Sequence, residues 1–399
     1  MAILTYKVFE QRLLAMQALM KEHRLDALVF MRADMVQYAT NFVVDVETWE
    51  RPIALIVTAD GQMSLLMNEL SMGGVRIFAA HGKLWIDEEK VVYYAEHPRV
   101  TNRLPVLAEW SDAFSSMLVK AGLRFGRIGC DMSHPLLVAA VQTLPSSSLQ
   151  VMFPAISSLR WQKHPEELAN MRALAELADW AQARYIENIR PGQLVQSLDA
   201  RMAAEFYEEG ARRFPGEDLM IKVFLSLSGP ASAAPHGDSS QGGACFESGH
   251  GVVTAVIPSL NGSVIENERT YFCGKPSNEQ IRLYEVALAA TEAATEQVIA
   301  GNPLSNIDAA AQDVFERAGV AQHVRHRTGH GMGILHHEFP ADMAFNHRQL
   351  LEREVFSVEP ALYIDNLGGF RVDNTVVVRG DKPEILTHSP IRLNEIVIG

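Results

Sequence analysis

Apolar residues separated by polar ones recur at helical spacing near the start of the chain, at Phe9, Leu13, Met16, Leu19 and Met20. This pattern predicts an amphipathic helix over about residues 6–23. Short apolar runs at 26–31, 53–58 and 127–130 predict buried strands, and a turn sequence follows the second run. Because helices and strands alternate along this part of the chain, we expect residues 1–155 to form an α/β domain.

The pattern changes near position 160, where a segment of strong helical character begins. Pro165 stands at its expected first turn beside two glutamates, a combination that favours a helix start. Further along the chain, long helical segments accompany apolar, strand-like runs at 251–257 and 372–378. Helices that are segregated from antiparallel strands indicate an α+β domain over residues 160–399.

Composition narrows the class of protein. The 399 residues are 48% hydrophobic and 21% charged, which is typical of a globular protein, and the net charge of -13 disfavours nucleic-acid binding. The three cysteines (Cys130, Cys245 and Cys273) are too few and too far apart for a disulfide scaffold or a thiolate zinc site. We find neither a signal peptide nor a membrane-spanning run, so we expect a cytoplasmic protein that does not bind membranes.

Six titratable residues interrupt or follow apolar strands in the second domain: His236, Glu266, Glu268, His330, Glu359 and Asp373. Glu266 and Glu268 alternate, so both side chains are expected on one face of a strand. Glu359 ends an apolar strand, where a buried carboxylate without a partner would cost several kcal/mol. The alternative interpretation of these acids is structural: a solvated strand face, or an ion pair such as Asp373 with Arg371.

The order and approximate spacing of these six residues resemble those of the site residues in the pita-bread family, which includes methionine aminopeptidases, prolidases and creatinase. The resemblance covers nearly the whole chain. It implies the α+β pita-bread fold for the catalytic domain, preceded by a smaller α/β domain of the creatinase/prolidase N-terminal type.

The metal-dependent members of that family use two aspartates, a histidine and two glutamates as ligands. Here the first aspartate position is Ala255, while Glu266 and Asp373 replace the second aspartate and the last glutamate. Alanine offers no ligand atom, so the resemblance implies no two-metal site. A single ion held by Glu266, Asp373, His330 and Glu359 stays an alternative, because carboxylate and imidazole together suit divalent ions.

Creatinase lacks the metal ligands and shares the acid directly before Arg269-Thr270. The resemblance carries its functional residues to five positions of this chain: His236, Glu268, His330, Glu359 and Arg51. Since Arg51 lies in the first domain, this implies a homodimer in which Arg51, with Trp49 nearby, reaches the site of the other subunit. An ion pair with Glu50 is the structural alternative for Arg51. Creatinase has a second carboxylate-binding arginine where this chain has Ala341, so creatine is not expected as the substrate.

The altered positions are most similar to those of ectoine hydrolases, creatinase-like enzymes that open the cyclic amidine of a compatible solute. The resemblance implies a hydrolase without metal or other cofactor that converts a small zwitterion, ectoine, to N-acetyl-2,4-diaminobutyrate. We expect four catalytic residues: Glu266, His236, His330 and Glu359. The substrate is expected to contact four others: Glu268, Asp373, Arg51 and Trp49. Carboxylates suit the paired N–H groups of a planar amidinium, and Arg51 suits the substrate carboxylate.

The sequence leaves alternatives open at two levels. The first level is the function itself. The alternatives to ectoine hydrolysis are a creatinase-type amidinohydrolase acting on another guanidino acid, a one-metal Xaa-Pro aminopeptidase or prolidase, and an inactive binding module. In the leading interpretation, either Glu266 attacks the amidine carbon or a carboxylate or histidine activates water for that attack. His236 or His330 then carries a proton to the leaving nitrogen, while Glu359 and Glu268 hold the amidinium.

Overall fold

The structure of the protein is a computed structural model that describes residues 4–97, 101–237, 243–338 and 342–399. The chain folds into two compact units, Leu4–Arg160 and Trp161–Gly399. Ala341, a position used in the comparison with creatinase, lies outside the described residues. None of the described helices combines the length and the apolar character needed to cross a membrane.

The N-terminal unit is built around a mixed β-sheet. Its elements follow in chain order as α1 (Tyr6–His23), β1 (Ala27–Phe30), α2 (Ala33–Thr40), β2 (Ala54–Thr58), β3 (Met63–Asn68), α3 (Met72–Ala80), β4 (Val91–Tyr94), α4 (Val106–Lys120), β5 (Arg127–Cys130), α5 (Pro135–Gln142), β6 (Ser148–Val151) and α6 (Phe153–Ser158). The strands lie in the order β4-β3-β2-β1-β5-β6, and β5 is parallel to both of its neighbours. The predicted first helix and the three predicted strands are therefore confirmed.

Burial in this unit follows the hydrophobic pattern. Strand β1 lies between β2 and β5, and all four of its residues are buried. Helix α1 buries the face that carries Phe9, Met16, Leu19 and Met20, as the helical spacing predicts. A strand buried on both faces reads as a continuous apolar run, which is why the sequence signal was clear here.

The C-terminal unit contains longer helices and a larger sheet. Its elements are α7 (Pro165–Asn188), α8 (Val195–Arg213), β7 (Leu219–Ser228), β8 (His250–Leu260), β9 (Ser263–Val264), β10 (Asn267–Cys273), α9 (Asn278–Thr295), α10 (Ser305–Arg317), β11 (Gly329–Gly331), β12 (Val355–Val358), β13 (Ala361–Ile364), β14 (Gly368–Arg371), β15 (Asp373–Val377), β16 (Glu384–Ile385), α11 (Leu393–Ile396) and β17 (Val397–Ile398). The main path of the sheet runs β11-β12-β15-β10-β8-β7, and every neighbouring pair along it is antiparallel.

Helix α7 begins where the sequence predicts it. Pro165 occupies the first turn, His164 Nδ1 accepts a hydrogen bond from the backbone N–H of Glu166, and the Glu167 carboxylate accepts one from the His164 N–H. This reciprocal cap satisfies backbone donors that a helix start leaves unpaired. Helices α7 to α10 bury apolar side chains in one core with the sheet, so the segregated helices and antiparallel strands confirm the α+β prediction.

Candidate active site

Strand pairing in the C-terminal unit brings a row of three residues together. Ala255 of β8 pairs with Glu268 of β10, and Glu268 pairs with Asp373 of β15. Residues directly opposite each other in antiparallel strands have neighbouring side chains on one face. Glu266 lies two residues before Glu268, and Glu359 follows β12 directly. The sheet thus gathers four buried acids from distant parts of the chain.

Two histidines hold the Glu266 carboxylate. Its Oε1 lies 2.9 Å from His336 Nε2, and its Oε2 lies 3.2 Å from His330 Nε2. The same His330 Nε2 is 3.6 Å from Glu359 Oε1. The backbone carbonyl of Gly331 accepts a hydrogen bond of 3.1 Å from His330 Nδ1, which turns Nε2 toward the two acids. His330 therefore lies between Glu266 and Glu359.

These contacts favour an ionised Glu266. Burial alone would raise the pKa of Glu266, but hydrogen bonds from His330 and His336 and the charge of these rings hold that pKa well below its usual range. Burial lowers the pKa of His336, yet the hydrogen bond to Glu266 and the charges of Glu266 and Glu268 together outweigh burial, so the net shift of the His336 pKa is upward. The structure thus favours a carboxylate that accepts hydrogen bonds from imidazole N–H groups.

The other three acids are shifted in the opposite direction. Burial, followed by the nearby charge of Glu266, raises the pKa of Glu359 and of Asp373 well above the usual range. Burial also raises the pKa of Glu268 to about 7, although the charge of Arg371 opposes that shift. The site therefore combines a carboxylate, Glu266, that is held ionised with neighbouring carboxyl groups that keep a proton more readily than a free carboxyl group does. Such a division between neighbouring acids separates a base or nucleophile from a proton donor.

A buried arginine lies inside the acid cluster. Arg371 Nε is 2.5 Å from Glu268 Oε2, and its Nη1 is 3.8 Å from Glu359 Oε2. Nη1 also donates to the Tyr363 hydroxyl at 3.1 Å, and that hydroxyl lies 2.8 Å from His326 Nε2. Part of the negative charge in the site is therefore neutralised by the protein itself.

The acids border a cavity of about 800 Å³ in the C-terminal unit. Among the residues that line it are Ala255, Glu266, Glu268, Glu359, His236 and Arg371. His236 is exposed there, whereas Asp373 is fully buried behind the lining, where its Oδ1 accepts a hydrogen bond of 2.9 Å from the Ser357 hydroxyl. A second cavity of about 840 Å³ lies in the N-terminal unit, but no histidine is among its lining residues. The chemistry is therefore assigned to the first cavity.

Two predicted residues lie in the N-terminal unit. Arg51 Nε and Nη2 each donate to the Glu96 carboxylate at 2.7 Å, and Arg51 Nη1 is 2.9 Å from Glu50 Oε2. The ion pair with Glu50 that the sequence suggested is thus present, and Glu96 adds a second. Trp49 is 78% exposed. A contact of either residue with substrate stays a prediction.

Sequence reasoning did not assign His336, His337 or Arg371 to the site. The sequence suggested Arg371 only as a partner of Asp373, whereas the structure pairs its guanidinium with Glu268. His337 stacks on His330 with ring centroids 3.7 Å apart. The signal that was available is the adjacent histidine pair shortly after His330, in a glycine-rich segment that turns back toward the strand.

A buried ion pair shapes that segment. Glu338 Oε2 lies 3.0 Å from Lys163 Nζ, and its Oε1 accepts a hydrogen bond of 2.9 Å from the backbone N–H of Ile334. The backbone N–H of Glu338 donates to the Gly331 carbonyl at 2.7 Å. A Cβ at Gly333 would lie 2.8 Å from the Glu338 carboxylate, so a larger residue there would displace the carboxylate that Lys163 and Ile334 hold. The folded-back segment is what brings His336 to Glu266.

The residues present do not fit a two-metal site. Ala255 is 2% exposed and contributes only a methyl group in the row of Glu268 and Asp373. Two groups of side chains have potential ligand atoms within 4.8 Å of one another among the described residues: Glu266, Glu268 and Asp373, and His330, His336 and His337. Arg371, 2.5 Å from Glu268, opposes a cation at the first group by charge repulsion. The ligand atoms that remain could hold one metal ion, which is the alternative to a site without metal.

Comparison with known proteins agrees with this architecture. Residues 169–380 match the metallopeptidase family M24, and residues 12–161 match the creatinase/prolidase N-terminal domain. A probable dipeptidase PepE from Mycobacterium tuberculosis is 27% identical over 355 residues, which cover 87% of this chain and 86% of that protein. An Xaa-Pro dipeptidase from Pyrococcus furiosus is 31% identical over 232 residues, covering 58% of this chain and 64% of that protein.

Solved structures show the same fold along the whole chain. A dipeptidase PepE from Mycobacterium ulcerans has a TM-score of 0.80 and 25% identity, and covers 98% of each chain. A recombinant prolidase from Thermococcus sibiricus also has a TM-score of 0.80, at 24% identity, and covers 98% of this chain and 99% of its own. The predicted fold, a pita-bread domain after a creatinase/prolidase-type α/β domain, is confirmed. The chain belongs to the metallopeptidase family M24.

Proposed function

We propose that this hydrolase opens the cyclic amidine of ectoine without a metal ion and releases N-acetyl-2,4-diaminobutyrate. The observation that carries the proposal is Ala255, which stands at one end of the row formed with Glu268 and Asp373, where the metal-dependent relatives have a carboxylate ligand. The remaining acids, with Glu266 ionised beside two histidines, form a binding site for a planar cation that carries several N–H groups.

Glu266 is the group that initiates the reaction. In the covalent route, a Glu266 oxygen bonds to the amidine carbon, Glu359 gives its proton to a ring nitrogen, and the carbon bond to that nitrogen breaks. Water then attacks the same carbon, returns a proton to Glu359 and releases Glu266. In the alternative route, Glu266 takes a proton from water while the water oxygen bonds to the carbon. The carbon bond to one ring nitrogen then breaks as that nitrogen takes a proton from Glu359, and the proton on Glu266 passes back to Glu359. Both routes consume one water and leave one amide and one amine.

The pKa shifts support this division of roles. Glu266 is held ionised by its histidine contacts, whereas burial favours the protonated form of Glu359. His330 lies between the two acids, at 3.2 Å from Glu266 and 3.6 Å from Glu359, and is placed to relay a proton between them. His236, exposed in the same cavity, is proposed as a second proton carrier on the solvent side.

Three further residues are proposed as substrate contacts. Glu268 lines the cavity, and the Arg371 contact leaves Glu268 Oε1 for the amidinium. Asp373, which lies buried behind the lining, stays a predicted substrate contact. Trp49 is proposed to cover the cavity from the second subunit of a dimer. Its large exposed indole would otherwise remain in contact with water.

The test is a turnover assay with purified protein. Ectoine, hydroxyectoine, creatine and a set of Xaa-Pro dipeptides are supplied separately, and products are identified by mass spectrometry. We expect N-acetyl-2,4-diaminobutyrate or its isomer from ectoine and no release of proline. Efficient dipeptide cleavage with no ectoine turnover would contradict the proposal.

A one-metal dipeptidase or prolidase is the second candidate. The named relatives are dipeptidases and prolidases, so the comparisons are closer to this alternative than to ectoine hydrolysis. Its site would use the carboxylates of Glu266, Glu359 and Asp373 with His330. The charge of Arg371 beside those acids and the methyl group of Ala255 count against it.

We further propose a homodimer whose sites use Arg51 of the second subunit. Arg51→Ala and Glu359→Ala subunits, each poorly active alone, are expected to regain activity when they are co-expressed with different tags and purified as a mixed dimer. The reason is that one of the two sites then has both residues intact. Sedimentation gives the oligomeric state. A mixed dimer with no more activity than its parents would rule out a shared site.

The proposed location is the cytoplasm. All three cysteines are free thiols in the structure, and two of them, Cys130 and Cys273, are buried. Free thiols are typical of proteins in a reducing compartment, where disulfides are rare.

A further inference from the structure

The cavity of the C-terminal unit carries charge of both signs. Two arginines, Arg371 and Arg327, line this cavity together with the acids. The Arg371 guanidinium is 2.5 Å from Glu268 and only 5% exposed, so its charge is already balanced. Arg327 is partly exposed, and no carboxylate of the described residues lies within ion-pair distance of it. One cationic group in the lining is therefore available to a ligand.

Two contacts hold the Arg327 guanidinium in place. Its Nε donates to the Gly329 carbonyl at 3.1 Å, and its Nη2 lies 2.9 Å from His337 Nδ1. A guanidinium has only donors, so His337 Nδ1 is the acceptor in the second contact. Neither contact uses Nη1. The guanidinium is thus oriented by its Nε and Nη2 edge while donors remain for an anion.

A short chain of contacts links Arg327 to the reacting acids. His337, its partner, stacks on His330 at 3.7 Å between ring centroids, and His330 lies 3.2 Å from Glu266 and 3.6 Å from Glu359. A small zwitterion that placed its amidinium at Glu266 would therefore have a cation within the same cavity for its other end.

We propose that Arg327 binds the carboxylate of the substrate. In this arrangement one subunit supplies Arg327, Glu266 and Glu359. The inference rests on the proposed function and deepens it, because it makes a negatively charged group on the substrate a requirement of the site. A guanidinium suits a carboxylate because two of its N–H groups match the two oxygens. The proposed contact of Arg51 from the second subunit with the same carboxylate requires Arg51 to leave Glu50 and Glu96, whereas Arg327 has no ion pair to give up among the described residues.

The test compares two substrates and three variants. The substrates are ectoine and the same cyclic amidine without its carboxylate. The variants are Arg327→Gln, Arg327→Lys and the control Arg325→Gln. Arg325 is an exposed arginine of the same segment that donates to the backbone carbonyl of Gln322. Thermal melting reports whether each variant is folded.

We expect Arg327→Gln to raise KM for ectoine on the order of tenfold to a hundredfold, the range for a lost hydrogen bond to a charged group. The kcat for ectoine should change little, because an interaction that is equally strong with the bound substrate and with the transition state affects KM and not kcat. KM for the amidine without carboxylate should be the same for Arg327→Gln and the unchanged chain. Arg327→Lys should recover part of the ectoine affinity, and Arg325→Gln should match the unchanged chain.

The outcomes separate the inference from the function on which it rests. An unchanged KM for ectoine in Arg327→Gln overturns the inference, and so does an equal loss on both substrates, which would assign Arg327 to holding His337. Failure of the unchanged chain to hydrolyse either amidine overturns the proposed function and the inference together. A loss for ectoine alone, with the carboxylate-free amidine unaffected, supports both.

Discussion

Glu266→Gln is expected to lower kcat for ectoine by about 10²–10⁴-fold, the scale of removing a positioned acid–base group. The amide has nearly the same shape, but it is a poor nucleophile and a poor base. It also has only one oxygen, so it cannot present an acceptor to both His330 and His336 as the two carboxylate oxygens do. Steady-state kinetics with ectoine measure the effect, and thermal melting checks that the variant is folded.

Two matched variants sharpen this result. Glu268→Gln should raise KM more than it lowers kcat if that acid mainly holds the amidinium. Glu247→Gln alters a glutamate that is 71% exposed in the same unit and should leave both constants unchanged. A near-normal kcat for Glu266→Gln would remove Glu266 from the chemistry. The activation of water would then pass to His236 or Glu359.

Activity with ectoine is expected to persist in strong chelator, whereas a metal-dependent peptidase would lose its activity completely. The physical reason is the combination of a methyl group at Ala255 and a guanidinium 2.5 Å from Glu268, which removes one donor and adds a repelling charge. The rate is measured before and after chelation, alongside elemental analysis of the purified protein. Activity that is abolished by chelation and restored by zinc, manganese or iron would establish the one-metal alternative.

Ala255→Asp is the matched variant for this experiment. It adds a carboxylate to the row of Glu268 and Asp373, where like charges destabilise one another when no cation is present. We expect the melting temperature of the Ala255→Asp variant to be lower in chelator than in buffer, and to be higher when a divalent ion is added. The unchanged chain should show neither response.

The sequence predicted the fold well because its signals were local or were carried by familiar motifs. The helix at 6–23 and the strand at 127–130 are set by apolar spacing alone, and both match the structure. The start of α7 at Pro165 follows from the proline and the acids beside it. The order of the strands in the nine-stranded sheet came from the structure, because pairing between β8, β10 and β15 joins segments far apart in the chain.

The site was predicted less completely. The sequence identified Glu266, Glu268 and Glu359, because acids that adjoin apolar strands stand out against their surroundings. It could not assign Arg371 to Glu268, since strand alternation places Arg371 and Asp373 on one face without saying which neighbour each one contacts.

Residue types and their order along the chain determined the fold family and pointed to the candidate acids and to Ala255 as a position without a ligand atom. Only the tertiary structure decided which acid is ionised, because burial, distance to histidines and neighbouring charge set each pKa and none of these can be read from spacing. The turn held by Lys163 and Glu338 brings His336 to Glu266, and the stacked rings of His330 and His337 link Glu266 to Arg327. Charge separation in the cavity is therefore a property of side chains that meet only after folding.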